Sequence, residues 1–255
     1  MPRRNDAQIF VLCHKKVDYD IPNNSLYTPL QVGSALTDED VCELKDNTLI
    51  NISNKNKYYL ETTGTYWIWK NMCKKYKYIG QCQYRRQLIF DENTNFDEIF
   101  KEYDAIIAEP LKFKISLFIQ YSISHNIDDL KIIESILKKD YPEYTNDIKK
   151  LYSSNILYYS AGIILKQEDF NKYCTFLFDI LEKYLKIINV HGYYDAVKYV
   201  KANTIKGKYK RKISIDYQTR LCGYIAERLM TLYVNHNFKN IMTIKYKLME
   251  NSSVK

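Results

Sequence analysis

Four short runs of mostly apolar residues constrain this chain more than any other feature of its sequence. They are Ile9–Cys13, Tyr78–Cys82, Ala105–Ala108 and Ala161–Leu165. Their length and lack of alternation are typical of strands buried on both faces. Segments with helical spacing of apolar residues lie between them, most clearly over residues 128–139 and 168–188. We therefore predict an α/β fold with a mostly parallel central sheet flanked by helices.

The chain has 255 residues, and 46% of them are hydrophobic. A chain of this size and composition can bury a large core, which excludes global disorder. We predict one domain over residues 1–255, with a core over about residues 8–235 and a carboxyl-terminal tail over residues 236–255.

Several common classes of site are excluded. There are only 7 glycines, and neither a GxGxxG nor a P-loop motif occurs. The six cysteines include no CxxC pair, so neither a zinc ribbon nor a disulfide scaffold is indicated, and we expect free thiols. The histidines lack the spacing of metal ligands: His14, His125, His191 and His236.

The net charge of +8 suits an anionic ligand, an acidic membrane surface or nucleic acid. The apolar run after Arg4 is too short for a signal peptide. The longest apolar stretches, Ile115–Ile123 and Phe176–Ile188, are too short or too charged to cross a bilayer. We expect a cytoplasmic protein whose contact with the inner membrane, where there is one, is peripheral.

Polar side chains follow two of the predicted strands. His14 and Lys15 come after the first strand, and Arg85 and Arg86 come after the second. Ligands of open α/β sheets collect at the carboxyl ends of strands, so these residues are candidates for binding an anion. The alternatives are a solvated turn at His14 and surface ion pairs at the two arginines.

The segment after Asn51 predicts a helix capped by Ser53 or Asn54, with Glu61 on its partly apolar face. A carboxylate there needs a partner, either Arg85 or a hydroxyl group of a ligand. Trp67 and Trp69 cannot point the same way on a helix, so one fits the core and the other can line a ligand pocket.

Near the carboxyl end, Asp216 is predicted to cap a helix on which Arg220 and Glu227 share a face. A buried charge pair that fixes the helix competes evenly with a role in ligand binding.

Three blocks together resemble one family: NISNKN at 51–56 with YYLETTGTYWIWKN at 58–71, YIGQCQYRR at 78–86, and DYQTRLCGYIAERLMTLYV at 216–234. The sequence resembles the domain-of-unknown-function family of capsular-polysaccharide and O-antigen biosynthesis proteins, regarded as glycosyltransferases. The resemblance runs from about Ile9 to Val234.

The resemblance implies a GT-A-like nucleotide-sugar fold. It also implies transfer of a sugar, from a UDP-sugar in our expectation, to a glycan or lipid-linked glycan acceptor. Residues that match the family blocks are then expected to bind the donor: His14, Lys15, Asn51, Ser53, Asn56, Thr62, Tyr66, Trp69, Lys70, Gln83, Tyr84, Arg86 and Arg220. Glu227 and Arg228 match the late block as well.

The sequence departs from the usual pattern of the family in two places. Gln83 stands where histidine is usual, and Ser160–Ile164 stands where an Asn-Met pair is more usual. These departures favour an alternative from another class, a catalytically degenerate module that binds a nucleotide sugar or a glycan. A third, weaker interpretation is nucleic-acid binding through the basic segment Lys201–Lys212, although we do not expect nucleic acid as a partner.

Sugar transfer needs charge to offset the leaving diphosphate and a base to activate the acceptor. After the strand Tyr78–Cys82, where GT-A enzymes usually carry a metal-binding DxD motif, this sequence has Arg85 and Arg86 instead. We therefore predict that cationic side chains replace the metal, with no metal ligands and no cofactor besides the donor. Asp104, Glu61 and Arg85 are the predicted catalytic residues. For the base, Glu109 and Asp216 compete with Asp104.

Overall fold

The computed structural model describes residues 6–16, 21–159, 161–203 and 213–249. All four predicted strands are present in these ranges. The strands are β1 (Ala7–Cys13), β2 (Tyr27–Gln31), β3 (Tyr78–Gln83), β4 (Arg86–Gln87), β5 (Ala105–Ala108), β6 (Leu111–Lys112), β7 (Ile156–Leu157), β8 (Gly162–Lys166), β9 (Ile241–Ile244) and β10 (Lys247–Leu248).

In the described residues the main sheet has eight strands: six lie in the order β2-β1-β3-β8-β5-β9, and β4 and β10 extend it from the end of β3. β1 pairs in parallel with β2 and β3, and β5 pairs in parallel with β9. β8 is antiparallel to both of its neighbours, because the β6–β7 ribbon brings the chain to the edge where β3 and β5 end. β4 is also antiparallel to β3, and the other strands of the main sheet share one direction, which confirms the mostly parallel sheet. The edge where β1, β2, β3 and β5 end is called the carboxyl edge below.

Helices cover both faces of this sheet. They are α1 (Asn56–Tyr59), α2 (Thr62–Asn71), α3 (Phe96–Glu102), α4 (Leu117–Ser122), α5 (Asp128–Asp140), α6 (Thr145–Ser153), α7 (Gln167–Ile187), α8 (Tyr193–Ala202), α9 (Ile215–Gln218) and α10 (Leu221–Asn237). Alternate residues of β1 enter two different cores: Phe10 and Leu12 pack among α2, α7 and α10, whereas Ile9 and Val11 pack near α3. Burial on both faces explains the continuous apolar runs.

Two predicted helices are broken. The segment after Ser53 forms a single 3₁₀ turn over Ser53–Lys55, then α1, and only then α2. The late helix is divided into α9 and α10 between Gln218 and Leu221. Its first cap is Ser214, whose side chain accepts from the Tyr217 N–H, so the prediction that Asp216 caps it is wrong.

Residues 241–244 and 247–248 belong to the sheet. β9 pairs with β5 along Ala105–Ala108, and β10 pairs with β4. The predicted boundary of the core near residue 235 is therefore too early. The sequence also gave no signal for β2, because Pro29 interrupts its pattern; the structure accommodates this proline on an edge strand.

No helix in the described ranges is both long enough and apolar enough to cross a membrane. All six cysteines are free, and five of them are buried. Most of the basic segment, residues 204–212, lies outside the described residues, as does Ser160.

Candidate functional site

Basic side chains from three parts of the chain meet at the carboxyl edge. His14 and Lys15 follow β1, Arg85 lies in the turn between β3 and β4, and Arg220 precedes α10. The rings of His14 and Tyr84 pack edge to face with their centroids 5.1 Å apart. Desolvation lowers the pKa of His14, and the positive charges of Arg85, Lys15 and Arg220 lower it further. We call these four residues (His14, Lys15, Arg85 and Arg220) the basic cluster.

Gln83, the last residue of β3, joins a carboxylate to a guanidinium group. Its Nε2 donates to Glu61 Oε1 at 2.8 Å, and its Oε1 accepts from Arg86 Nη1 at 2.9 Å. The Arg86 guanidinium carbon lies 4.4 Å from the ring centroid of Tyr159. The buried Arg86 Nε–H finds no hydrogen-bond acceptor among the described residues. The amide therefore holds both charged groups at the end of one strand.

A second carboxylate, Glu227 of α10, lies near this junction. Its Oε2 accepts from Arg228 Nη1 at 3.2 Å, and its side chain is 18% exposed. Desolvation raises the pKa of Glu227 to about 7; the Glu61 charge also raises it, while Arg228 and Arg86 oppose the rise. A carboxyl group that titrates near neutrality can accept a proton under physiological conditions.

A strained residue presents Glu61 to Gln83. Leu60, between α1 and α2, has φ 54° and ψ −142°, a conformation that is costly for a residue with a side chain. Its carbonyl oxygen accepts from Asn56 Nδ2 at 2.7 Å and from Thr63 Oγ1 at 3.2 Å. Asn56, which was predicted to bind the donor, here holds the bend that carries Glu61.

The loop around Asn51 and Ser53 is organised by a carboxylate that the sequence analysis missed. Asp46 is fully buried and accepts five hydrogen bonds. The donors are the Gly33 and Ser34 N–H groups and the hydroxyls of Ser34, Ser53 and Thr63, at 2.5–3.1 Å. The Asn51 side chain bonds to neighbouring backbone at Leu49 and Ser53. Asn51 and Ser53 thus support the loop locally.

Gly33 occupies a position that only glycine fits. Its φ is +70°, and an added Cβ would lie 2.6 Å from the Asn56 side chain. The loop that begins there lines an open cavity of about 570 Å³ beside the end of β2. Its lining residues are Ser34, Ala35, Leu36, Thr37, Asp38, Lys45 and Asn47. β2 and β1 end side by side, and the Val32 N–H donates to the Cys13 carbonyl at 2.8 Å, so the loop that lines the cavity starts beside the residue before His14.

Helix α2 leads away from the carboxyl edge. It starts next to Glu61. Just beyond its end, the Cys73 thiol donates a hydrogen bond to the Gln167 carbonyl at the opposite edge of the sheet. Trp69 stacks on Phe178 of α7 at 5.5 Å, and Lys70 lies over the Trp69 ring. Eight residues of helix correspond to about 12 Å between Glu61 and Trp69.

Tyr66, Trp69 and Lys70 therefore pack against α7, and the structure does not bring them to the other predicted site residues. Trp67 is a core residue, 1% exposed, whose Nε1 donates to the Thr48 carbonyl at 2.9 Å. Thr62 lies beside Glu61, and its buried hydroxyl has no hydrogen-bond partner within the described part of the chain.

Asp104 lies at the opposite edge of the sheet from Arg85. It precedes β5, and its Oδ2 accepts from the Lys239 and Asn240 N–H groups at 3.0 Å. These hydrogen bonds lower the pKa of Asp104. Because β5 runs in the same direction as β3, the residue before β5 cannot reach the carboxyl edge. This placement argues against the predicted role of Asp104 as a base and favours a structural role.

The remaining predicted residues have local partners. The ion-pair partner of Arg220 is Asp216, with Arg220 Nη2 3.7 Å from Asp216 Oδ2. Glu227 pairs with its neighbour Arg228 instead of with Arg220. The departure at residue 162 has a packing reason: a Cβ on Gly162 would lie 2.8 Å from the Ala108 Cβ. No group of three or more His, Cys, Asp or Glu side chains in the described ranges is arranged to hold a metal ion.

The structure thus gathers most of the predicted site and adds residues to it. The predicted residues at the carboxyl edge are His14, Lys15, Glu61, Thr62, Gln83, Tyr84, Arg85, Arg86 and Arg220. Sequence analysis missed Asp46 and Tyr159, because nothing in the sequence around either residue marks a long-range contact. Sequence analysis left the role of Glu227 open, because the periodicity of the helix indicates that Glu227 is buried but not which residues surround it.

Comparisons with known proteins agree with this architecture. A family model described as "Domain of unknown function (DUF4422)" matches residues 8–201. No curated protein sequence matches the chain. The fold is similar to a solved structure described as the apo structure of the WbbM bifunctional glycosyltransferase, with a TM-score of 0.71 and 22% sequence identity.

That match covers 98% of this chain and 46% of the other chain, so this chain spans about half the length of that protein. The likeness confirms the predicted GT-A-like α/β fold. The family model covers well over half of the residues, and this chain belongs to the DUF4422 family.

Proposed function

We propose that this protein is a glycosyltransferase that moves a sugar from a nucleotide-diphosphate donor to a hydroxyl group of a surface polysaccharide or oligosaccharide. The expected donor is a UDP-sugar. The observation that carries the proposal is the Gln83 junction, which places Glu61 and Arg86 beside Glu227 and next to the basic cluster. Expectations of a capsular or O-antigen product and of a cytoplasmic location belong to this proposal.

The strand order supports an extended donor site. Along the carboxyl edge, β2 leads to the open cavity, β1 to His14 and Lys15, and β3 to Gln83 and the arginines. A nucleotide sugar has a matching sequence of parts: a nucleoside, a diphosphate and a sugar. We assign the cavity to the nucleoside, the basic cluster to the diphosphate and the carboxylate pair to the sugar.

The basic cluster has the charge that a leaving diphosphate requires. Arg85 is exposed, and its positive charge acts directly on His14. Guanidinium groups bind phosphate oxygens in a bidentate manner, and a set of fixed cations stabilises charge that develops on a leaving group. We propose that Arg85, Arg220 and Lys15 supply this stabilisation without a divalent metal.

Glu227 is the proposed base, in place of Asp104. The acceptor oxygen forms a bond to the anomeric carbon while the bond from that carbon to the diphosphate oxygen breaks. The bonding electron pair leaves with the nucleoside diphosphate, and the acceptor proton passes to the Glu227 carboxylate. Glu61, held by Gln83, is proposed to orient sugar hydroxyls as a hydrogen-bond acceptor.

The test measures UDP release and donor binding with a panel of UDP-sugars. Arg85→Ala combined with Arg220→Ala should weaken UDP binding by roughly tenfold or more, given the strength of charge-assisted hydrogen bonds. Lys74→Ala with Lys75→Ala is the matched control, because these exposed lysines lie beyond α2 near the opposite edge. Equal losses in the two double variants would contradict the assignment of the diphosphate site.

Two further outcomes decide finer points. Binding of a donor without release of UDP in the presence of acceptor glycans would favour the degenerate binding module, for which the Gln83 departure is the specific observation. Activity that is absent in EDTA and restored by Mn²⁺ would contradict the metal-free mechanism.

A further inference from the structure

An exposed apolar patch surrounds α4. Ile115, Phe118 and Ile119 are 36%, 37% and 49% exposed, and Ile156 of β7 is 37% exposed. Two backbone hydrogen bonds join the segments: Leu117 N–H to the Ser154 carbonyl at 2.7 Å and Phe113 N–H to the Asn155 carbonyl at 2.9 Å. The four side chains Ile115, Phe118, Ile119 and Ile156 are called the α4 patch. Contiguous exposed apolar side chains on a soluble surface mark an interaction site.

The two segments that carry the α4 patch are basic. Residues 111–125 and 148–159 contain four lysines and no aspartate or glutamate: Lys112, Lys114, Lys149 and Lys150. All four lysines are exposed, and Lys150 contacts Asp147 at 2.7 Å, outside these segments. An apolar surface bordered by lysines complements a layer that is negatively charged outside and apolar beneath.

The α4 patch borders the candidate site on two sides. Ile156 is three residues before Tyr159, whose ring lies over Arg86. On α4, the Gln120 side chain accepts a hydrogen bond from Arg228, the neighbour of Glu227. The α4 patch is therefore linked to the candidate site through Tyr159 and through Gln120.

We propose that the α4 patch docks this protein on an anionic lipid bilayer. Phe118 and Ile119 enter the boundary between headgroups and acyl chains, while Lys112 and Lys114 contact anionic headgroups. α4 has only six residues, so it lies at the surface and does not span the membrane. This inference goes beyond the proposed function, because docking requires neither a donor nor turnover.

The test is co-sedimentation of the full chain with vesicles of phosphatidylcholine alone or mixed with phosphatidylglycerol. We expect binding to the mixed vesicles only, weakened by added salt. Lys112→Glu with Lys114→Glu should reduce the partition coefficient by more than roughly tenfold, because each lysine at an anionic surface contributes roughly fivefold. Phe118→Gln with Ile119→Gln should reduce it by a similar factor, again roughly tenfold.

Matched controls separate the α4 patch from net charge and general hydrophobicity. Lys74→Glu with Lys75→Glu makes the same change in charge elsewhere, and Leu49→Gln with Ile50→Gln removes apolar side chains that are 72% and 57% exposed. These variants should bind vesicles within about twofold of the unmodified protein, the size expected for surface changes away from the contact.

Three results would overturn the proposal. One is the absence of binding to anionic vesicles by the unmodified protein, and another is equal loss of binding in patch and control variants. The third is self-association in analytical ultracentrifugation that only the patch variants abolish, which would assign the α4 patch to a second copy. UDP binding, measured in parallel, reports on the proposed function, and thermal melting reports on the folding of each variant.

Discussion

The side-chain amide of Gln83 donates to Glu61 at 2.8 Å, and its carbonyl oxygen accepts from Arg86 at 2.9 Å. One neutral side chain thus forms hydrogen bonds with a carboxylate and with a guanidinium group at once. Histidine, the usual residue of the family at this position, also has one donor and one acceptor when neutral. Glutamine in place of the usual histidine therefore preserves the hydrogen-bonding pattern.

This geometry predicts the effect of two substitutions at residue 83. Gln83→His should keep activity within about threefold, because both hydrogen bonds can persist, whereas Gln83→Met should lower kcat by roughly 10- to 100-fold, the equivalent of losing hydrogen bonds to charged groups. Steady-state kinetics with the preferred donor provide the measurement, and thermal melting checks the fold. Unchanged kcat in Gln83→Met would show that the junction has no catalytic part.

The raised pKa of Glu227 predicts a pH-dependent rate. A base with a pKa of about 7 is charged only above that pH, so kcat/KM should rise through neutrality. Glu227→Gln should remove this limb and lower kcat by roughly 10²- to 10⁴-fold, as expected for loss of a general base. A profile in Glu227→Gln that still rises near pH 7 would assign the titration to another group.

The same shift predicts how stability depends on pH. The folded state holds its proton on Glu227 up to about pH 7, whereas an unfolded glutamate releases it near pH 4.5. The free energy of unfolding should therefore fall as pH rises between these values, by up to about 3 kcal/mol. Glu227→Gln should flatten this part of the curve in urea titrations and fold normally at pH 8. Unfolding of that variant would instead support a purely structural charge pair with Arg228.

Buried Asp46 should dominate the stability of the loop after β2. Asp46→Asn replaces a carboxylate that accepts five hydrogen bonds by an amide that accepts fewer, and we expect a loss of about 2–4 kcal/mol. Asp38→Asn, on the same loop but exposed, should change stability by less than about 0.5 kcal/mol. Chemical denaturation measures both. Equal effects would mean that the Asp46 charge contributes nothing specific.

Asn56 should act as a positioning residue. Asn56→Ala removes the donor to the strained Leu60 carbonyl, so the bend before Glu61 can relax. We expect kcat to fall by roughly tenfold, a typical effect of small misplacement, while the Kd for UDP stays unchanged. Asn54→Ala, exposed in the same segment, is the control and should leave both values unchanged. A weaker Kd for UDP in Asn56→Ala would point to direct contact with the donor.

The sequence by itself determined four of the strands and the long helices α5 and α7. The apolar runs in β1, β3, β5 and β8 are local signals, because a strand buried on both faces must be continuously apolar. The same signal fails for β2, whose proline is tolerated only because the strand lies at an edge. It cannot give strand direction either, so the antiparallel β8 could not be foreseen.

Tertiary structure alone decided which polar residues share a site. Sequence order places Glu61 close to Trp69 and Lys70, but α2 carries the latter two to the far edge and leaves Glu61 beside Gln83. Glu227 reaches the same junction from a helix more than 140 residues later in the chain. A helix or strand fixes neighbours at short range by its own period, whereas contacts between elements depend on how the sheet orders its strands.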